Sequence, residues 1–347
     1  MKRVFFFTVL ASVAFAGCTF DEGVSDGAVN GNEINFAVAQ YTPQTRAEHD
    51  KGDAFNEDIT IWSWYNGANT PVIPGDVYNP STKEFADNHK YYWPADGTAL
   101  DFVAVPTSLV GTSYFTAPGR AADGATALTF VIPSGTDYHS KNLMTTEVQT
   151  ANGGTVALLF RHLLSKVNIT VSQKVREDTD DARWLVTVND IKVEGLKNAG
   201  EVVINNSWDA TDGDKLWDTT NGSETWQVTN GDKSLYESIN AGASETPYAS
   251  AATYYMLPQE LVADTQKITI DYTIETDYLG NPTQLNTTET YSKTFDLKGI
   301  SGINAWYMNK NITYNILIDP SSTLNPITFT VNEEEWGVGS GDKDILP

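Results

Sequence analysis

The sequence predicts an all-β protein, and three observations predict it. Runs such as "KITIDYTIET" (267–276) and "NITYNILID" (311–319) alternate apolar with polar residues, the period of a strand with one buried face, and "DITIWSWY" (58–65) is a further strand candidate. These runs close on Gly, Pro, Asn or Asp and recur at roughly 8–12-residue spacing, the rhythm of β-sandwiches. No long stretch keeps the 3.6-residue period of an amphipathic helix. With 347 residues, 40% apolar and 11% aromatic, the chain can bury a core, and two domains are expected.

Taken in order, "EINFAVAQY" (33–41) is a half-buried strand with Ile34, Phe36 and Val38 on one face. "TPQTRAEHDKGD" (42–53) is polar, carries Pro43 and Gly52, and reads as an exposed loop containing Arg46. Strands follow at 58–65, 100–106 and 127–133. The stretch 155–175 begins and ends as strands, and its middle, "FRHLLSKV", is expected to form a short helical turn. Further strands fall at 184–196, 254–262, 267–276, 289–297, 311–319 and 326–332, while "NAWYMNKNITY" (304–314) fits more than one state. The domains are placed at 47–170 and 171–336, with a Gly-rich flexible tail over 337–347.

The net charge of −23 repels phosphate backbones and argues against nucleic acid as a partner. The sole cysteine is Cys18, so no intramolecular disulfide can form. Lys2 and Arg3 precede the apolar run "VFFFTVLASVAFA" (4–16), and then comes "AGC". This resembles a bacterial lipoprotein signal, with the leader 1–17 removed and Cys18 carrying the lipids, although Phe15 stands where Leu is usual. An ordinary secretory signal followed by a chance cysteine is the other reading; the absence of any second cysteine favours lipidation. Acyl chains on Cys18 would hold the protein to a membrane by burying methylenes. Asp21 and Glu22 look like the acidic export tag of surface lipoproteins, and residues 19–33 read as a tether.

"WDATDGDKLWDTTNGSETWQVTNGDKSL" (208–235) repeats every nine residues, with Trp208, Trp217 and Trp226 in register. If Asp212-Gly213, Asn221-Gly222 and Asn230-Gly231 each close a two-residue turn, a β-meander results. Trp208 then faces Trp217, Trp217 faces Trp226, and Trp226 faces Leu235. One Gly per unit does not make a nonapeptide calcium repeat. The indole row either packs on the core of the second domain or stays exposed to contact glycans.

No catalytic constellation is legible. His49, His89, His139 and His162 are scattered without metal-ligand spacing, and no cofactor or metal is expected. There is no nucleophile elbow, phosphate-cradling loop or zinc-protease motif. His162, between Phe160 and Leu164, reads as structural. The chain is expected not to be an enzyme.

Several segments together resemble the fimbrillins, which build the type V pili of Bacteroidales. "YYWPADGTALDFVAVP" (91–106) looks like that family's Tyr-Trp-Pro and Leu-Asp-Phe strands. "NLMTTEVQTANGGTVALLFRHLLSKVNITV" (142–171) looks like its most specific run, and "YYMLPQEL" (254–261) like its Leu-Pro-Gln strand. "NKNITYNILID" and "ITFTVNEEEW" (309–336) are similar to its C-terminal end. The resemblance implies two tandem transthyretin-like β-sandwich domains and a lipoprotein precursor held first in the outer membrane. It also implies an Arg-specific protease as a partner, other pilus subunits as assembly partners, and a fimbrium at the cell surface. Removal of an N-terminal strand then opens a groove that a strand of the next subunit fills.

On that resemblance the cut is placed between Arg46 and Ala47, in the polar loop; the alternative is that Arg46 is one surface arginine among several. The strand before it reads "INFAV" and the last strand reads "ITFTV", so Ile327, Phe329 and Val331 repeat the knobs Ile34, Phe36 and Val38. The C-terminal strand is thus a candidate donor, unless it only completes its own domain. The second functional reading is a tip or surface adhesin of the same fold, binding host or bacterial glycans or proteins without forming the stalk.

Overall fold

In the computed structural model, residues 32–40, 53–54, 57–121, 124–132, 143–174, 182–204, 217–221, 224–235, 248–249, 254–278, 287–322 and 327–335 are described. The first half carries β1 (Asn35–Gln40), β2 (Asp53–Ala54), β3 (Ile59–Tyr65), β4 (Pro71–Asn79), β5 (Glu84–Phe85) and β6 (Leu100–Pro106). It continues with β7 (Phe115–Arg120), β8 (Thr126–Val131), β9 (Met144–Thr146), β10 (Gln149–Ala151) and β11 (Thr155–His162). The second half carries β12 (Ser165–Gln173), β13 (Ala182–Leu196), β14 (Ala199–Ile204), β15 (Trp217–Asn221), β16 (Glu224–Leu235), β17 (Tyr248–Ala249) and β18 (Tyr254–Met256). It ends with β19 (Gln259–Glu260), β20 (Lys267–Tyr278), β21 (Thr287–Asp296), the five-residue helix α1 (Leu297–Ser301), β22 (Ala305–Trp306), β23 (Lys310–Ile318) and β24 (Ile327–Glu335). No described helix is long and apolar enough to cross a membrane.

Two sheets, β2-β1-β11-β9 and β10-β6-β3-β4-β5, enclose one core. Ile34 and Phe36 meet Ile59, Ile61, Phe102, Leu158 and Phe160 there. The other face of β3 and β6 is also buried, because Trp62, Trp64, Val103 and Val105 belong to the second core. This is why "LDFVAVP" is apolar almost throughout instead of alternating. The sheet β15-β14-β8-β7 joins strands from both sides of residue 170, with Thr126–Val131 paired along Ala199–Ile204. The sheets β17-β12-β23-β24 and β16-β13-β20-β21 complete the second core.

The helical turn expected over 160–167 is not formed. β11 bonds β1 and β9, the chain passes through Leu163 and Leu164, and β12 then bonds β23 in another sheet. Both leucines are fully buried. A run apolar on every side suits a strand that changes sheets as well as it suits a helix, and pattern alone cannot separate them.

The Trp meander is also corrected. β15 pairs β14, with Trp217 opposite Val202, whereas β16 pairs β13, with Trp226 opposite Val193. Asn230-Gly231 lies inside β16, where the pairing with β13 shifts register between Val188 and Asp190. The 15-residue β13 offers β16 a far longer ladder than β15 could. Two glycines are fixed by close approach: Gly75 (φ +113) lies under the Trp62 indole, and Gly195 (φ +78) lies against the Thr265 carbonyl.

Candidate functional site: the seat of the first strand

β1 forms where "NFAVAQ" alternates, and it lies parallel to β11, from Asn35 opposite Thr155 to Gln40 opposite Phe160. On its other side Ala39 and Gln40 pair with β2. Ile34 and Phe36 are each 4% exposed, and Val38 is half-buried against the same core. Three rings meet Phe36 edge-on: Tyr78 at 5.2 Å, Phe102 at 5.7 Å and Phe85 at 6.1 Å between centroids. Burial in this cluster pushes the Tyr78 phenol up to about 12. Burying Ile34 and Phe36 contributes roughly 1.5–3 kcal/mol each before ordering costs.

The start of β1 has a second clasp. Glu33 bridges Tyr92 in antiparallel fashion: the Ile34 N–H donates to the Tyr91 carbonyl (2.8 Å), and the Trp93 N–H donates to the Asn32 carbonyl (2.9 Å). Lys90 Nζ reaches Glu33 Oε2 at 3.1 Å. Beside this clasp lies a cavity of about 190 Å³ between the start of β1 and the β4–β5 hairpin. Tyr91 Oη donates to Asp76 Oδ2 (2.5 Å), which also faces His89 Nδ1 at 3.3 Å. Burial first, and then the bond to Asp76, push the Tyr91 phenol up to about 12. Sequence reading missed this cavity. Its mouth includes Lys83 and Asn88, at left-handed φ values of 60° and 54°; Asn favours that conformation, whereas Lys83 gives no such signal.

β24 is the outermost strand of its sheet, antiparallel to β23 from Ile327 opposite Ile318 to Glu335 opposite Lys310. Ile327 is 3% exposed; Phe329 and Val331 are half-buried, with Phe329 edge-on to Phe295 at 4.8 Å. Asn311 Nδ2 donates to Glu334 Oε1 at 2.7 Å on the outer face. In this structure β24 therefore completes its own sheet from an edge, where among the described strands β23 alone is hydrogen-bonded to it.

Trp217 is 5% exposed and its Nε1 donates to the Leu163 carbonyl at 3.0 Å, so this indole faces the core. Cys18, Arg46, Ala47, Trp208 and the tail after 336 lie outside the described residues. His162 is buried, and desolvation, then the nearby Lys166, hold its imidazole down at about 3. Among the described residues, no group of three or more His, Cys, Asp or Glu could hold a metal ion.

Layered sheets, a first strand seated in a sandwich and a last strand at a sheet edge define an all-β protein of the β-sandwich class. The same fold is seen in a fimbrial protein from Bacteroides vulgatus, at a TM-score of 0.58 and 17% identity, covering 88% of this chain and 99% of that one. A candidate cell adhesion protein from Parabacteroides distasonis matches at a TM-score of 0.51 and 12% identity, over 88% of this chain and 98% of that one. No curated protein sequence matches the chain. The fimbrillin-like family matches residues 45–336, and the chain belongs to that family.

Proposed function

We infer that the chain is a structural subunit of a surface fimbrium. It is exported as a lipoprotein through Cys18, cut between Arg46 and Ala47, and polymerised when a strand of another copy takes the place of β1. β1 itself carries this reading. It completes the first core, yet every residue of it lies upstream of Arg46. A cut there leaves β1 held only by its ladder and its packing. Its departure bares one edge of β11 and a trough lined by Tyr78, Phe85 and Phe102, and an incoming strand satisfies both.

The C-terminal strand suits that trough in detail. Setting Ile327, Phe329 and Val331 in place of Ile34, Phe36 and Val38 puts Pro326 where Glu33 stands. The antiparallel clasp is made by the N–H groups of Ile34 and Trp93, so a proline at position 33 forfeits neither bond. Among the described arginines, the Arg120 side chain is 4% exposed and bonded to Asp101 at 2.5 Å, Arg161 pairs with Glu147 on β11, and Arg183, although exposed, lies within the bonded strand β13 and pairs with Asp277; Arg176 lies outside the described residues. A protease needs an extended, accessible segment, which the composition of residues 42–53 provides. Segment 18–46 is then the removable tether with its strand, and 47–170 and 171–336 hold the two domains of the mature subunit, with β8 and β14 paired across that boundary.

Brief digestion with an Arg-specific protease tests the reading, followed by N-terminal sequencing and an unboiled denaturing gel. A start at Ala47 with a ladder of multimers supports it; multimers that all retain Cys18 refute it. The second reading, a tip or surface adhesin, is favoured by one observation, the polar-mouthed cavity beside β1.

A further inference from the structure

We propose that the cavity between the start of β1 and the β4–β5 hairpin binds one neutral sugar ring, and that its occupancy holds β1 in its groove. The buried lining is apolar, with Ile34, Tyr78 and Phe85 and half-buried Tyr91 beside them, Phe85 and Tyr91 edge-on at 5.0 Å. Rings in the lining and hydrogen-bonding groups at the mouth match the two surfaces of a pyranose, its C–H face and its ring of hydroxyls. Lys83, Glu84 and Asn88 stand exposed at that mouth. At about 190 Å³ the space is below the roughly 300–1,000 Å³ of a site for a drug-sized ligand, which selects a single ring.

Charge selects a neutral ligand. Lys83 and Lys90 are balanced by Glu33 and Glu84, and Lys90 is already bonded to Glu33. Asp76 outside the wall is engaged by Tyr91 and His89. The net charge of −23 further disfavours an anion. Lys83 and Asn88 hold left-handed backbone on either side of β5, a conformation that glycine would adopt without penalty.

The coupling comes from the wall. Glu33, Ile34 and Asn35 line the cavity and belong to the segment that leaves with β1, so this part rests on the strand-exchange reading. A ligand touching both β1 and the hairpin stabilises the strand-in state by mass action, and by reciprocity the strand raises affinity for the ligand.

The test uses the full chain and the methyl pyranosides of glucose, galactose, mannose, fucose and N-acetylglucosamine, with glucuronate and glucosamine as charged arms. Calorimetry reads binding, and hydrogen exchange reads the amides of Asn35–Gln40. At least one neutral pyranoside should bind, and at ten times its Kd it should slow β1 exchange about tenfold. The double substitution Lys83→Ala with Asn88→Ala should weaken binding at least tenfold, with exchange in the absence of sugar no faster. Four results overturn the proposal: no neutral pyranoside binds, a charged arm binds tighter, the double variant binds as before, or β1 exchange ignores a bound sugar. The two readings fail separately. A chain that forms multimers after cutting but binds no sugar refutes the cavity alone; one that binds sugar but never polymerises refutes assembly alone.

Discussion

Phe36→Ala separates the strand that leaves from the groove that stays. Phe36 is 4% exposed and touches three aromatic rings at 5.2–6.1 Å, so truncation forfeits its transfer energy and leaves a void among Tyr78, Phe85 and Phe102. Phe-to-Ala changes in cores cost about 3–5 kcal/mol. In the uncut chain the loss appears as reduced stability. After cleavage at Arg46 it weakens the hold on β1, and at 1.4 kcal/mol per tenfold about 3 kcal/mol corresponds to roughly 100-fold faster release. The variant residue departs with the strand, so the finished polymer contains no altered side chain and should resist heat and detergent like the parent. Phe85→Ala alters the groove itself and should loosen both β1 and its replacement. The assay follows the freed 18–46 peptide and the multimer ladder over time after a brief protease pulse. Unchanged release from the Phe36→Ala chain, or polymers of lowered stability, would refute the reasoning.

Three further predictions concern the scaffold. Trp217→Ala should cost about 3–5 kcal/mol in denaturant melts, because the indole is buried and bonded to the Leu163 carbonyl; unchanged stability would mean it does not pack there. Gly195→Ala should cost about 2–6 kcal/mol, since it combines left-handed strain with a Cβ 2.2 Å from the Thr265 oxygen; a neutral result contradicts that contact. For His162, desolvation and then Lys166 lower the folded pKa from 6.5 to about 3. The unfolded chain therefore binds the extra proton between those values, and this source of stability is present above pH 6.5 and lost as pH falls towards 3. The decline is at most about 1.4 kcal/mol per pH unit. His162→Gln should remove it, so stability curves of parent and variant that run parallel from pH 6 to pH 4 would contradict the burial.

Strands with a clean two-residue period were legible: β1, β20, β23 and β24 lie where "INFAV", "KITIDYTIET", "NITYNILID" and "ITFTV" place them. β4 was not, because Pro71, Pro74 and Gly75 interrupt its pattern. Register shifts after Ile61 and Ser63 let it pair with β3, with Gly75 admitting the Trp62 indole. Partner choice was the second blind spot. The nine-residue Trp repeat marks strands but cannot say which neighbour each takes, and β13 and β14 drew β16 and β15 into different sheets. The repeated Ile-x-Phe-x-Val knobs of β1 and β24 were visible in sequence, whereas the clasp at Glu33–Tyr92 depends on contacts between distant segments.

The most direct measurement is a disulfide between copies. Seating Ile327 in place of Ile34 puts Thr330 in place of Ala37, which lies opposite Ala157 on β11. In the uncut monomer Thr330 instead pairs with Asn315 of β23. Cleavage removes Cys18, the only native thiol, so Ala157→Cys with Thr330→Cys introduces the sole pair. Exchange of β24 into the β1 groove predicts a boiled, non-reduced ladder in which the two introduced thiols join different chains, absent before cutting. Multimers that form after cutting yet carry no such bond would contradict it.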